Sequence, residues 1–266
     1  MLGAILGDTI ASPFEGIKLA KYRKTPTPTD DSLLTCACKL WLKAFQSEDL
    51  SNLSQNTELQ NKLLEKAIYY LKTFGSEYKS YGFSKAFQAW SEQEEYLQMD
   101  RDTNGCLMRN SPIAEFCFIH NYNEEVLLKL TEIFTSPTHN HKDCYEATKL
   151  HSLIIYNSLK KQIHKDNYKD YLIKHSNIRV PHYWQEEKKF IWDAKTSLEI
   201  ALSCVYFAHD FISTINNCIE CTGDTDTYAA IAGPIAQTIW GIEEKIINDN
   251  KIYITKIPIV LTHYFI

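Results

Sequence analysis

Apolar side chains recur at three-to-four-residue spacing through most of this 266-residue chain, and that period commits it to helix. The spacing predicts helices over 33–45, 59–71, 84–93, 124–134, 145–163, 198–212 and 227–247. The alternation that marks strands is nearly absent, and 9 Gly and 8 Pro are too few to break the helical pattern often. Two segments stand outside it. Residues 160–185, polar and aromatic, read as an irregular surface excursion, while 251–266, rich in Ile around Pro258, leaves a short extended piece and a last helix both open. With 44% hydrophobic residues and no internal repeat, low-complexity tract or obvious linker, the expectation is one all-α domain over 1–266.

Charge narrows the partners. The chain carries 28 Lys and Arg against 33 Asp and Glu, a net charge of -5, with no block of like charge, so neither a nucleic-acid tail nor a basic membrane patch is expected. No run of about 18 apolar residues is present to span a bilayer. The first residues lack a basic stretch followed by an apolar one and a cleavage site, so a leaderless, cytoplasmic monomer is expected, with export to a host cell by a leaderless route left open. The 8 cysteines are scattered without the spacing of a disulfide framework, which fits a reducing compartment. The sole CxxC, Cys218-Ile-Glu-Cys221, lacks the second pair that a zinc site needs, and the thiols read as small core residues.

Chemistry concentrates in two acidic clusters, Thr29-Asp30-Asp31-Ser32 and Gly223-Asp224-Thr225-Asp226-Thr227, each followed directly by an apolar helical run. Capping explains part of the first, because Thr and Asp are preferred N-caps and Asp in a first turn complements the helix dipole. It does not explain a second adjacent Asp. Carboxylates packed so tightly repel one another unless a hard cation sits between them, and the oxygen-rich set suits such a cation. An EF-hand loop is excluded, because its DxDxDG spacing and distal Glu are missing. The small residues of Tyr228-Ala229-Ala230-Ile231-Ala232-Gly233-Pro234 permit close approach by neighbouring helices and mark this helix as central.

Three more elements accompany the clusters. The first is Gly3-Ala4-Ile5-Leu6-Gly7-Asp8-Thr9-Ile10-Ala11-Ser12-Pro13-Phe14-Glu15, which pairs small residues with two acids. The others are Thr103-Asn104-Gly105-Cys106-Leu107-Met108-Arg109-Asn110-Ser111-Pro112-Ile113 and Ser136-Pro137-Thr138-His139-Asn140-His141. These five elements, in this order, resemble those of the ADP-ribosylglycohydrolase family, which includes the dinitrogenase-reductase activating enzymes and the ADP-ribosylarginine and ADP-ribosylserine hydrolases. The resemblance spans residues 3 to about 241.

It implies an orthogonal helical bundle with a binuclear metal cleft, holding two Mg2+ or, as an alternative, Mn2+. By the same resemblance Thr29, Asp30, Asp31, Asp224, Asp226 and Thr227 are the metal ligands, and Glu15, Asp31 and Asp226 the catalytic set. Glu15, Asn104, Gly105, Met108 and His139 would contact ADP-ribose. The implied reaction removes mono-ADP-ribose from a modified protein side chain, most simply arginine, through a cation-like sugar transition state. Serine or small-molecule conjugates are the alternatives for the substrate. A catalytically silent relative that binds ADP-ribose or serves a structural role, since this fold also occurs in lens crystallins, and a two-metal phosphohydrolase are the competing functions.

The departures from the family pattern fall on the cleft wall. Thr103 stands where the family usually has Gly, Cys106 and Leu107 where it has small residues, and Thr222 where it commonly has a second Gly before the acidic turn. Pro234 inside the central helix is also unexpected unless it falls in a first or second turn. A further family Asp has no clear equivalent, Asp100 and Asp102 being the nearby candidates. Arg109 reads as a structural ion-pair partner, His141 as a cap or packing residue, and Trp90, Trp184, Trp192 and Trp240 as core or interface.

Overall fold

The computed structural model describes residues 1–16, 25–186 and 190–258, which form thirteen α-helices and no named strand. In chain order these begin with α1 (Leu2–Ala11), α2 (Asp30–Lys43), α3 (Thr57–Glu77) and α4 (Lys85–Glu92). The middle holds α5 (Ser111–Ile119), α6 (Glu124–Thr135), α7 (Lys142–Leu159), α8 (Tyr168–His175) and α9 (Pro181–Glu186). The last are α10 (Ala194–Tyr206), α11 (Phe211–Glu220), α12 (Thr225–Trp240) and α13 (Glu244–Ile254). The buried apolar side chains of these helices join in one continuous cluster. None of the described helices is long and apolar enough to cross a membrane. All eight cysteines are buried and free.

Side-chain caps start many of the helices. Asn56 accepts from the Leu59 amide at 3.0 Å, Asn123 from Val126 at 3.0 Å and Asp193 from Thr196 at 2.8 Å. Each satisfies a first-turn N–H that the helix itself leaves unpaired.

The helix α12 lies at the centre, packed against α1, α7, α10 and α11. Its closest neighbour is α1, and glycine sets the approach. A Cβ at Gly3 or Gly233 would run into the backbone of the other residue, and one at Gly7 into the Ala229 carbonyl. Both helices are buried along most of their length, so neither shows an amphipathic stripe. Pro234 lies well inside α12, beyond its second turn, and cannot donate to the carbonyl four residues back. One residue further on, the Ile231 carbonyl accepts from Nε2 of buried His151 at 2.9 Å.

The helices differ from the sequence expectation at identifiable points. Residues 198–212 divide into α10 and α11, because Asp210 and Ser213 form a capping box that starts a new helix. Residues 227–247 divide at Gly241, whose φ of 82° ends α12. The 160–185 segment contains α8 and α9, and α13 carries helix through Ile254 into the undecided C-terminal stretch. Residues 259–266 of that stretch lie outside the described residues.

Candidate active site

The first acidic cluster opens α2. Thr29 caps it, its Oγ1 accepting from the Asp31 amide at 3.3 Å, so the capping reading holds for Thr29 and frees the two carboxylates for other partners. One turn on, Thr35 Oγ1 donates to the Asp31 carbonyl at 2.8 Å and stands 3.1 Å from that of Met108, which ties α2 to the 104–108 segment.

The second cluster opens α12, where Asp224 occupies the N-cap position but makes no side-chain cap bond. Before it, Thr222 and Gly223 both take left-handed backbone angles, φ 58° and 79°. Gly adopts this region freely and Thr does not, so the Thr that replaces a usual Gly is held in a costly conformation. The turn is fastened to the N-terminal segment. The Gly16 amide donates to the Gly223 carbonyl at 2.9 Å and Thr225 Oγ1 to the Ala11 carbonyl at 3.1 Å. Glu15 is thereby brought beside the cluster.

The two clusters meet. Thr227 Oγ1 lies 3.1 Å from Asp31 Oδ2, close enough to donate across from α12 to α2. Carboxylate oxygens of Asp8, Asp31 and Asp226 lie within 4.8 Å of one another, and so do those of Glu15, Asp224 and Asp226. Asp226 belongs to both groups. Asp8, contributed by α1, was not among the expected ligands. It is fully buried and accepts from the Thr29 amide and hydroxyl, both at 2.8 Å, from the Ser32 amide at 3.1 Å, and from the Ser32 hydroxyl. The signal available in the sequence is an Asp inside an otherwise apolar, small-residue helix, where an unpaired charge has no place.

Electrostatics explain what the arrangement requires. Burial raises the carboxyls of Asp31 and Asp226 well above the ordinary range, and mutual repulsion adds to it, from Asp226 on Asp31 and from Asp224 and Asp8 on Asp226. Asp30 is pushed up to about 8, first by withdrawal from solvent and then by Asp8 and Asp224. Burial also lifts Asp8 and Asp224 to about 6, although their hydrogen bonds oppose it. For Asp224 the main opposing bond comes from Asn104, whose Nδ2 donates to Oδ2 at 2.7 Å and also reaches Ser197 Oγ at 3.1 Å. Five carboxylates sharing so little space, all with hard oxygen donors, fit divalent cations of the magnesium or manganese type.

Above the acids opens a cavity of about 500 Å³. Glu15, Thr29, Asp30, Asp31, Asp224, Asp226 and Thr227 line it, as do Asn104, Gly105, Met108 and His139, so every expected site residue borders one space. Asp8 lies behind this wall. Asp100 and Asp102 are exposed and do not line the cavity, so neither supplies the further acid. His139 is buried with both ring nitrogens occupied, Nδ1 by the Thr138 hydroxyl at 2.8 Å and Nε2 by that of Thr103 at 2.9 Å. Burial, then the charges of Arg109 and Arg101, hold it well below the usual histidine range and therefore neutral. A Cβ at Gly105 would stand 3.3 Å from this ring, tighter than most such contacts.

Other residues depart from expectation. Arg109 has no carboxylate partner among the described residues; it is fully buried, donates from Nη2 to Thr138 Oγ1 at 2.6 Å and lies 5.4 Å from the centre of the Phe134 ring. His141 does cap, its Nδ1 accepting from the Asp143 amide at 3.3 Å at the start of α7. Trp192 is not core but 57% exposed where it borders the cavity, with Arg101, Tyr81 and Phe87 also on the walls. No local pattern marks these four, because scattered segments bring them together only on folding.

Comparison with known proteins bears on the family and the fold. The family model for ADP-ribosylglycohydrolase matches residues 1–249. Curated proteins give no match. Among solved structures, an "ADP-ribosylglycohydrolase-related protein complex" superposes with a TM-score of 0.61 at 16% sequence identity, covering 100% of this chain and 96% of that one. At that identity the likeness speaks for a common fold.

Proposed function

The chain belongs to the ADP-ribosylglycohydrolase family, and on that premise we propose that it hydrolyses the glycosidic bond joining mono-ADP-ribose to modified protein side chains, arginine first among them, with bound divalent cations. Family membership supports the hydrolase activity. The observation that carries the assignment to this site is the pair of carboxylate groups sharing Asp226 on the floor of the cavity.

In this reading Asp8, Asp31 and Asp226 would hold one cation and Glu15, Asp224 and Asp226 a second, with Asp30, Thr29 and Thr227 supplying further oxygens. Bound Mg2+ or Mn2+ would supply concentrated positive charge beside the sugar and the attacking water. The rest falls to the chain itself. Glycosidic cleavage develops positive charge on the sugar ring, which the surrounding carboxylates stabilise. Glu15, exposed at the cavity edge beside the bond from the Gly16 amide to the Gly223 carbonyl, would take a proton from water or return one to the leaving group. Asn104 keeps the Asp224 carboxylate oriented, while Gly105, Met108 and His139 form the wall against which ADP-ribose would lie. An acidic edge suits a guanidinium leaving group better than a hydroxyl. Residues 1–266 act in this proposal as one domain and a monomer.

The test incubates purified protein and Mg2+ with arginine- and serine-ADP-ribosylated proteins and measures released ADP-ribose. Release from the arginine conjugate alone is expected. No release from either, with ADP-ribose binding retained, would overturn the hydrolase reading; release from serine alone would overturn the linkage.

A further inference from the structure

Thr103 is half-buried on the cavity wall, and among the described residues its hydroxyl has a single hydrogen-bond partner, His139 Nε2 at 2.9 Å. The direction of that bond decides what Thr103 offers a ligand. Arg109, which can only donate, gives its Nη2 proton to Thr138 Oγ1 at 2.6 Å. Thr138 is fully buried, and the one other partner of its hydroxyl among the described residues is His139 Nδ1 at 2.8 Å. Were Nδ1 protonated, Thr138 Oγ1 would accept twice and its own proton would be buried without an acceptor, which carries a desolvation penalty. With Thr138 donating to Nδ1, each of these groups is satisfied. Nε2 then carries the ring proton and donates to Thr103 Oγ1. A doubly protonated ring, which burial and the two arginines oppose, would make the same Nε2 bond. In either case the Thr103 hydroxyl proton is left to donate to whatever fills the cavity.

Charge selects the acceptor. Arg101 lines the same stretch of wall, and the Arg109 guanidinium stands behind Thr138, whereas the carboxylates gather beyond Asn104. Among the described residues the Arg109 Nε and Nη1 have no partner, and they have almost no accessible surface, so that charge reaches a ligand through the relay and not by contact. We infer that Thr103 is a ligand-binding residue whose hydroxyl donates to a phosphate oxygen of bound ADP-ribose, with Arg109, Thr138 and His139 as the residues that position it. This rests on the functional reading above.

The experiment titrates ADP-ribose and adenosine into the full chain with saturating Mg2+, using the unaltered protein, Thr103→Val and Thr103→Ser. Loss of a hydrogen bond to a charged group predicts that Thr103→Val binds ADP-ribose about tenfold to a hundredfold more weakly. Thr103→Ser should stay within about twofold, and adenosine, which lacks the phosphates, should bind all three alike. Equal ADP-ribose affinity in Thr103→Val, an equal loss in Thr103→Ser, or a matching loss for adenosine would each overturn the inference. Nitrogen NMR of the imidazole in the ligand-free protein is the second measurement: Nε2–H is expected at His139, and Nδ1–H would overturn the relay. Failure of the unaltered protein to bind ADP-ribose would sink the functional reading and the Thr103 contact with it, while the tautomer would still report on the relay alone.

Discussion

Replacing Gly7 with Ala tests whether the site depends on how closely α1 and α12 approach. A Cβ there would run into the Ala229 carbonyl oxygen and lie 2.6 Å from its carbon, where ordinary contact begins at 3.4 Å, so the two backbones must part by more than about 0.8 Å. The obstacle is main chain inside a helix and cannot rotate aside. Overpacking of this kind costs about 1–3 kcal/mol, offset by about 0.5–1 kcal/mol because Ala favours helix more than Gly does. The immovable backbone puts the cost at the upper end of that range, and the net loss of about 2–2.5 kcal/mol corresponds, for a chain of this size, to a fall in Tm of about 4–10 °C. Scanning calorimetry in chelator isolates this packing term. The next residue is Asp8, and its group with Asp31 and Asp226 spans the same two helices, so the rise in Tm on adding Mg2+ should also shrink relative to the unaltered protein. A variant as stable as its parent, or more stable, would mean that helix propensity outweighs the crowding and would refute the close-approach reasoning.

Asp226→Asn removes the carboxylate common to both acidic groups, so ADP-ribose release should become undetectable; in chelator at pH 8 the variant should nonetheless melt above the unaltered protein, because a buried repulsion has gone. Stability in chelator should fall as pH rises. Asp8 and Asp224 near 6 and Asp30 near 8 stay protonated in the folded chain where the unfolded chain, near 3.8, has lost its protons; the advantage is complete below about pH 4 and vanishes through pH 6–8. Saturating Mg2+ should flatten that slope, and a Tm that climbs over this range in chelator would contradict it. Asp8→Asn turns an amide nitrogen toward the donors of Thr29 and Ser32 and should cost about 1–3 kcal/mol by urea unfolding. Chelation should abolish hydrolysis, with recovery on adding Mg2+ or Mn2+, measured as released ADP-ribose.

Most helices with one wet face were legible in the sequence, although α11 was not beyond residue 212; of the two buried along most of their length, α12 was legible and α1 was not. Buried Leu59, Leu63, Ala67 and Leu71 repeat along one side of α3, with exposed residues between them, which is what periodicity detects. In α1 eight of the ten residues are buried, so no stripe sets the phase, and α5 has only nine residues in which to show one. The acidic clusters stood out because adjacent carboxylates are hard to explain by capping alone. Asp8 did not, since a lone Asp means little until Thr29 and Ser32 are seen to close around it. Arg109 misled for a related reason: Arg usually seeks a carboxylate, and here a hydroxyl, a carbonyl and an aromatic face take that place.

The contact between α1 and α12 also sets an order of events during synthesis. Thr225 and Ala11, which hydrogen-bond to each other, are 214 residues apart in sequence. At a translation rate of about 5–20 residues per second, the first helix waits roughly 10–40 s for its partner to emerge from the ribosome. Through that interval the glycine face of α1 has nothing to close on, and Asp8 lacks the Asp226 of its carboxylate group. A nascent chain halted before Asp224 therefore carries only part of the carboxylate cluster, and the cavity floor is assembled only after α12 has been made.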